Sequence, residues 1–426
     1  MLLQPLEKGG LKLKLEYKMK NNNLCVLNCE ENSLVWIFLL ILDRFPTYSE
    51  QNLYINNYSI DRILSILINS EEYQSRFEKP YLIPITDNLK INEESVIWLF
   101  KLLLKRDTGS VDVINSFLNY DWNFNQLRSF IVLSLEFKLK NDKSLARLYL
   151  YELVTYFGPI CWTPGKKGSF NDFLGNTTRC SFLPSVYENI SCGVFGPPGS
   201  ILNPPMHDEA EWVGTLSSVF EAKEELVVVE LGAGWGPWLV SAYSAARKKG
   251  IGKVSLLGIE GEIGHIEFMR QNLSDNNIDP TQYTLIHGVV GEVDGIAYFP
   301  KILETNEDYG SKANYLEQTT ENFNIVSCYS LCTIFKMLPQ YIDLIHCDVQ
   351  GAEATVMRSA LKDLNLKVRR VIIGTHSRSV EAELLEIFSG IGWKLEHDTV
   401  CSYHQESSGE LILTRDGVQV WRNPRL

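Results

Sequence analysis

Glu230, Gly232, Gly234 and Gly236 fall at every second position after the β-branched run 227–229. Glycines at this spacing turn the backbone sharply and let a ligand lie against it without Cβ interference. Three further chemical groups close apolar runs of their own. They are Glu260 after Val254-Ser-Leu-Leu-Gly-Ile, Asp348 after Ile342-Asp-Leu-Ile-His-Cys, and His376 after Val371-Ile-Ile-Gly-Thr. A carboxylate in such a place accepts hydrogen bonds from hydroxyls, and a histidine can take a proton near neutral pH. The spacing excludes two nucleotide sites. The third glycine of a dinucleotide fingerprint would stand at 237, which is proline, and no Gly-Lys-Ser/Thr ending of a phosphate loop is present.

These groups need strands to carry them. Val227–Leu231 reads as a fully buried strand, with Pro237 at the first position of the following helix. Arg247–Lys253 is a helix end and turn leading to the second strand, Val254–Glu260. Tyr283–Val290, Ile342–Asp348 and Val371–His376 read as the third, fourth and fifth strands. In open α/β sheets ligands collect at the carboxyl ends of strands, where Glu230, Glu260, Asp348 and His376 all fall.

The pattern E-x-G-x-G-x-G resembles the first motif of class I methyltransferases, which bind S-adenosylmethionine. A wider set of segments resembles the FkbM-type methyltransferases. It comprises Asn203–Trp212, Glu230–Trp238, Asp275–Pro280, Asp308–Gly310, Asp343–Glu353, Ile373–Ser377 and Asp416–Pro424, and so spans roughly residues 200 to 426. His207 and Pro237 depart from the usual pattern. The resemblance implies a Rossmann-like α/β domain with a seven-stranded, mostly parallel sheet and an antiparallel last strand. It implies a donor site of Glu230, Gly232, Ala233, Gly234, Trp235, Gly236, Glu260, Gly288 and Val289. Glu230 and the glycine turn would hold the amino acid end, and Glu260 the ribose hydroxyls.

The implied reaction is methyl transfer to a hydroxyl of a carbohydrate or glycoconjugate. A polyketide, lipid or other small metabolite is an alternative acceptor, and a non-catalytic binding module in glycan assembly is a third reading. Because an alcohol proton is poorly acidic, a base beside the acceptor would help. His376 is the first candidate, and Asp348 the second, as base or as the group that orients His376 or the acceptor. His346 is expected to be buried in the sheet, and Glu353 to cap the helix after strand four. His207, Asp208 and Glu209 should begin the helix before strand one. His265 is expected on the surface and His287 in a strand.

At 426 residues the chain should hold two or three domains. A net charge of −12, without a basic stripe, disfavours a nucleic-acid substrate. The nine cysteines include no C-x-x-C pair, so reduced thiols in the cytoplasm are the default. No metal is expected, because Asp343 and Asp348 point to opposite faces of one strand. No signal peptide is read at the N-terminus, and Leu34–Leu42 is about half the length of a membrane span.

Residues 1–150 read as a helical domain. Two repeats, about 31–80 and 93–143, set Ser33–Arg44 against Ser95–Arg106, with Trp36 and Trp98 as corresponding anchors. This part carries no catalytic constellation and suits docking to a protein partner. Leu11–Lys18 alternates like a strand or is a frayed tail. Residues 151–206, rich in Gly, Pro and aromatics, form a connector that is either a lid over the acceptor or a segment docked on the sheet. The methyltransferase domain would occupy 207–426.

Overall fold

The computed structural model describes residues 207–426 except 317, 318, 320, 407 and 408, residues 163–195, and part of the span 34–161. The alternation at 11–18, Cys25, Cys29, Trp36 and the segment 196–206 lie outside the described residues.

The N-terminal part contains the helices Tyr48–Tyr54, Ile60–Ile68, Glu93–Leu104, Val111–Leu118, Phe124–Val132 and Ala146–Tyr156. Leu34, Ile37, Phe38 and Ile41 are helical, spaced by three and four residues, and fully buried, as one face of an amphipathic helix requires. Arg128 and Glu152 form a buried ion pair at 2.5 Å. The helix Ala146–Tyr156 crosses the expected boundary at 150 and packs on the helix Glu209–Glu221. There the Tyr149 hydroxyl lies 2.9 Å from Ser217 Oγ, and the Tyr156 and Phe220 rings meet edge-on at 4.8 Å. Helical region and sheet thus share one apolar core. Among the described residues no helix is long and apolar enough to cross a membrane.

The connector builds a small sheet of β1 (Ser169–Asp172), β2 (Thr177–Arg179) and β3 (Val194–Phe195), in the order β2-β1-β3. Asp172 turns the chain between β1 and β2 by accepting from the amides of Leu174 and Asn176, each at 2.9 Å. Phe170, Phe182, Tyr187 and Phe195 pack with Trp235, Phe268 and Tyr309. Arg179 grips Asp275 through Nε at 2.6 Å and Nη2 at 2.8 Å.

Beyond it, β4 (Glu225–Leu231), β5 (Lys253–Glu260) and β6 (Tyr283–His287) run parallel. The expected third strand breaks at Gly288: β7 (Val289–Gly291) leaves the main sheet and pairs with β9 (Phe323–Ser330), which also pairs with β8 (Gly295–Pro300). The main sheet continues with β10 (Ile342–Cys347), β11 (Val368–Thr375) and β12 (Lys394–Thr399). A hairpin of β13 (Ser402–Gln405) and β14 (Leu411–Arg415) precedes the last strand, β15 (Gly417–Arg422). The sheet order is β12-β15-β11-β10-β4-β5-β6, with β15 antiparallel to both neighbours. This is the seven-stranded arrangement expected from the sequence. The order reverses between β4 and β10, which places a crevice at their carboxyl ends.

Alternation along buried strands divides the core into two layers. Leu226, Val228, Leu344, Ile372 and Val420 face the helices Glu209–Glu221, Pro237–Lys249 and Ile263–Asp275. Val227, Val229, Ile345, Val371 and Trp421 face the helices Glu353–Ser359, Leu361–Lys367 and Arg378–Gly390. Arg370 is a fully buried charge in the first layer, paired with Glu221 at 2.9 Å and Glu396 at 2.7 Å and bonded to Ser218 at 3.0 Å. Asp343 sits at the amino end of β10, where it accepts from the Val227 amide and pairs with Arg369. It is far along the strand from Asp348.

Candidate active site

A cavity of about 1040 Å³, its open mouth included, lies over the carboxyl ends of β4, β5 and β10. Its wall includes Glu230, Gly232, Ala233, Gly234, Trp235, Glu260, Gly288, Val289 and Asp348. Two of the expected residues stand outside it. Gly236 caps the helix Pro237–Lys249 at φ +72° and faces Met269, and His376 lies behind Asp348.

The glycine turn is fixed from below. The amides of Gly232 and Ala233 both donate to the Ile259 carbonyl at 3.0 Å, joining the turn to the end of β5. Glu260 reaches back and accepts from the Gly234 amide at 2.9 Å and from the Glu262 amide at 2.8 Å. Glu230 accepts from the amides of Trp238 and Leu239 at 3.4 and 2.9 Å, which places a negative group at a helix N-terminus. Burial pushes the Glu230 carboxyl up to about 7, against the charge of His346 and these two amide bonds.

The opposite wall is aromatic. Tyr309 stacks on His265 with ring centroids 4.2 Å apart and meets Trp235 edge-on at 4.8 Å. Its hydroxyl donates to the Phe182 carbonyl at 2.5 Å, so the connector braces this wall from behind. None of the described connector residues lines the cavity itself. His265 is buried, not on the surface: its Nε2 lies 2.6 Å from the Thr305 carbonyl and its Nδ1 3.5 Å from Glu260. Asp308, Tyr309 and Tyr315 reach the cavity from the long segment after β8, and no strand-end pattern marks them.

Asp348 ends β10 with its amide bonded to the Leu231 carbonyl at 2.9 Å. Its Oδ1 accepts from Gln350 Nε2 at 2.9 Å and lies 3.1 Å from His376 Nε2. The other ring nitrogen of His376 is 2.8 Å from Oε1 of Glu353, which is fully buried. Burial acts to lower the His376 pKa, but the two carboxylates outweigh it and raise the value to about 10. Burial acts to raise Asp348, and the adjoining His376 outweighs it and holds the carboxyl below its usual range. Both ring nitrogens of His376 therefore face carboxylates, and the group exposed to the cavity is Asp348.

A third group of side chains lines the same cavity beneath the glycine turn. His346 pairs with Glu211 through Nε2 at 2.9 Å and stacks on Trp238 at 5.3 Å. It stands opposite Glu230 across the β10–β4 register. His346 is buried, as expected, yet its edge reaches the cavity, as does His207.

The cavity suits S-adenosylmethionine and not a dinucleotide. It offers a close backbone approach at the glycines and buried carboxylates for an ammonium group and ribose hydroxyls. Among the described residues no lysine or arginine lines it to meet a phosphate.

No family model matches the chain. A protein of Jannaschia sp. (strain CCS1) named "Putative methyltransferase" is 32% identical over 273 residues, covering 61% of this chain and 94% of that protein. Among solved structures, the precorrin-6y C5,15-methyltransferase of Geobacter metallireducens GS-15 is similar at 11% identity and a TM-score of 0.31. That match covers 51% of this chain and 88% of that one. The METTL16 methyltransferase domain is similar at 12% identity and a TM-score of 0.28, over 49% and 65%. By its relation to the Jannaschia protein over nearly that protein's whole length, the chain belongs to this methyltransferase family and is an S-adenosylmethionine-dependent methyltransferase.

Proposed function

We propose that the chain is an O-methyltransferase of the FkbM type, acting on a hydroxyl of a carbohydrate or glycoconjugate. The observation that carries this reading is Asp348, a carboxylate on the wall of the donor cavity, backed by His376 and flanked by the Gln350 amide. A hydroxyl-rich acceptor is matched by such acceptors and donors. A phosphodiester chain would need cationic partners, which the described wall lacks.

Glu230 and the amides of the glycine turn would hold the amino acid end of the donor, and Glu260 its ribose hydroxyls. Bound there, S-adenosylmethionine supplies a methyl group on a positively charged sulfur and departs as a neutral thioether. Asp348 would accept a hydrogen bond from the acceptor hydroxyl, align its oxygen, and take its proton as the new O–C bond forms. His376, expected from the sequence as the base, becomes the positioning residue: it holds Asp348 from behind and is itself held by Glu353. The helical region before the helix Ala146–Tyr156 would serve as a docking module for a protein partner.

The test supplies methyl-labelled S-adenosylmethionine with panels of nucleotide sugars, glycans, lipids, polyketides and transfer RNA. Label in the sugar panel supports the reading. Label only in lipid or polyketide acceptors moves the enzyme to the small-metabolite alternative, and label in RNA overturns the acceptor assignment. Donor binding without transfer to any acceptor would favour a non-catalytic module.

A further inference from the structure

Asp348, Glu353 and His376 each offer one ligand atom within 4.8 Å of the others. They come from three places: the end of β10, the first residue of the helix Glu353–Ser359, and the residue after β11. The turn between the two carboxylates is tightly curled. Gln350 has φ +55° and Gly351 φ +106°, a left-handed pair that a non-glycine residue adopts only under strain. This curl brings Glu353 back toward Asp348. The amides of Gly351 and Val349 then donate to Glu353 Oε1 at 2.9 and 3.3 Å and fix that carboxylate.

Two atoms of the cluster make no hydrogen bond. Glu353 Oε2 and His376 Nε2 are both buried without a hydrogen-bond partner. Nε2 stands 3.1 Å from Asp348 Oδ1 but outside hydrogen-bond geometry. Among the described residues neither carboxylate pairs with a lysine or arginine; the charged partner of both is His376. A buried carboxylate oxygen without a hydrogen bond and a buried imidazole nitrogen held only by an ion-pair contact, next to a second carboxylate, form a ligand set that suits a cation.

We propose that these three residues bind one divalent first-row transition-metal ion, such as Mn²⁺, at the acceptor end of the cavity. Metal–ligand bonds of about 2.0–2.2 Å put ligand atoms roughly 3–4.4 Å apart, so small side-chain rotations close the set. Mixed imidazole and carboxylate ligands suit a first-row transition metal better than Mg²⁺, which prefers oxygen and water. The ion would take the place of the imidazole proton, which is released to solvent, so that two carboxylates and a neutral imidazole balance a double positive charge. Asp348 lines the cavity and the other two residues are buried, so the open coordination positions face the acceptor. There the ion would hold the acceptor oxygen as a Lewis acid, and the hydroxyl proton would pass to the carboxylate oxygen of Asp348 that does not bind the ion. The ion's part in methyl transfer rests on the function proposed above; its binding does not. Asp343, whose opposite facing on the strand argues against a metal in the sequence, lies at the amino end of β10 and takes no part in this set, which draws Glu353 and His376 from other elements.

The experiment uses the full chain, stripped with EDTA and desalted. Mn²⁺ is titrated in, and the free ion is followed by its electron paramagnetic resonance signal. One ion per chain is expected, with affinity reduced by roughly 10–100-fold or more in Glu353→Gln and His376→Asn. Asp348→Asn, changed on the cavity side where refolding is least at risk, should weaken binding as well, with thermal unfolding checked for every variant. No Mn²⁺ binding by the wild-type chain would overturn the proposal, as would variants that bind as tightly as wild type. S-adenosylhomocysteine is titrated separately into the metal-free protein. Donor binding without Mn²⁺ binding sinks the metal site alone, whereas loss of donor binding counts against the donor-site assignment.

Discussion

Gly232 and Asp348 are pressed together at the carboxyl ends of β4 and β10: a Cβ on Gly232 would lie 1.8 Å from the Asp348 carbonyl oxygen. The Asp348 amide in turn donates to the Leu231 carbonyl at 2.9 Å. The turn that carries the donor and the residue that faces the acceptor are thus one backbone unit.

Gly232→Ala should therefore damage both functions at once. The methyl has no room, and φ +71° is strained for any residue with a side chain. Separating the two strands by about an ångström should cost roughly 100-fold in turnover and about 1–3 kcal/mol in stability. Calorimetry with S-adenosylhomocysteine and urea unfolding measure the two effects. Wild-type donor affinity in the variant would show that the turn does not touch the ligand.

Glu230 should make donor binding depend on pH. Its folded-state pKa of about 7 lies above the usual carboxylate value because the group is buried. Below that pH the carboxyl is neutral in the free protein, and a ligand ammonium group must first expel the proton. Affinity for S-adenosylhomocysteine should rise as pH increases from 5.5 to about 7, by up to about tenfold per unit, then level off. In Glu230→Gln the affinity should be weaker and nearly flat over the same range. A wild-type profile already flat would place the ammonium end elsewhere.

The strand ends were legible in the sequence because each is an apolar run that stops at a charged or glycine residue. Glu230, Glu260 and Asp348 needed only that pattern to be found. Trp235 and the segment Asp308–Gly310 stand out in the sequence, but their assembly into one aromatic wall with His265 was not legible. Tyr309 meets His265 only because the segment after β8 folds back over β5, and nothing local to either residue announces it. Glu353 has the signature of a helix-start acid, but Ala352 is the cap, and the Glu353 carboxylate accepts the amides of Val349 and Gly351 before the helix instead of capping its first turn. Its contact with His376, 23 residues away, appears only once β11 is laid beside β10. The run Tyr283–Val290 looked like one strand because apolar periodicity does not record which sheet each half joins.

Arg370 makes the core intolerant of one particular change. Its guanidinium is fully buried between Glu221 and Glu396. Arg370→Ala removes the buried charge that bridges Glu221 and Glu396, with Glu221 keeping Arg422 at 3.1 Å, and should cost about 3 kcal/mol. Arg370→Lys should also destabilise, since an ammonium cannot reproduce the forked contacts. Urea denaturation reports both. A loss under about 1 kcal/mol in the alanine variant would mean that water reaches the carboxylates.

Asp348 and His376 should act as one unit in the chemical step. Asp348→Asn keeps the shape of the side chain but cannot take a proton. It should lower kcat and kcat/KM together by roughly 10²–10⁴-fold, with donor affinity little changed. His376→Gln keeps a donor near Asp348 and should cost less in kcat, with a rise in the acceptor KM as the carboxylate loses its fixed direction. Because the histidine works through Asp348, the double variant should be no slower than Asp348→Asn alone. Steady-state kinetics on the four proteins closes the cycle. Losses that multiply in the double variant would mean that His376 reaches the reaction by a route of its own. The assignment of Asp348 as the group facing the acceptor would then fall, because the residue behind it would be doing independent chemistry.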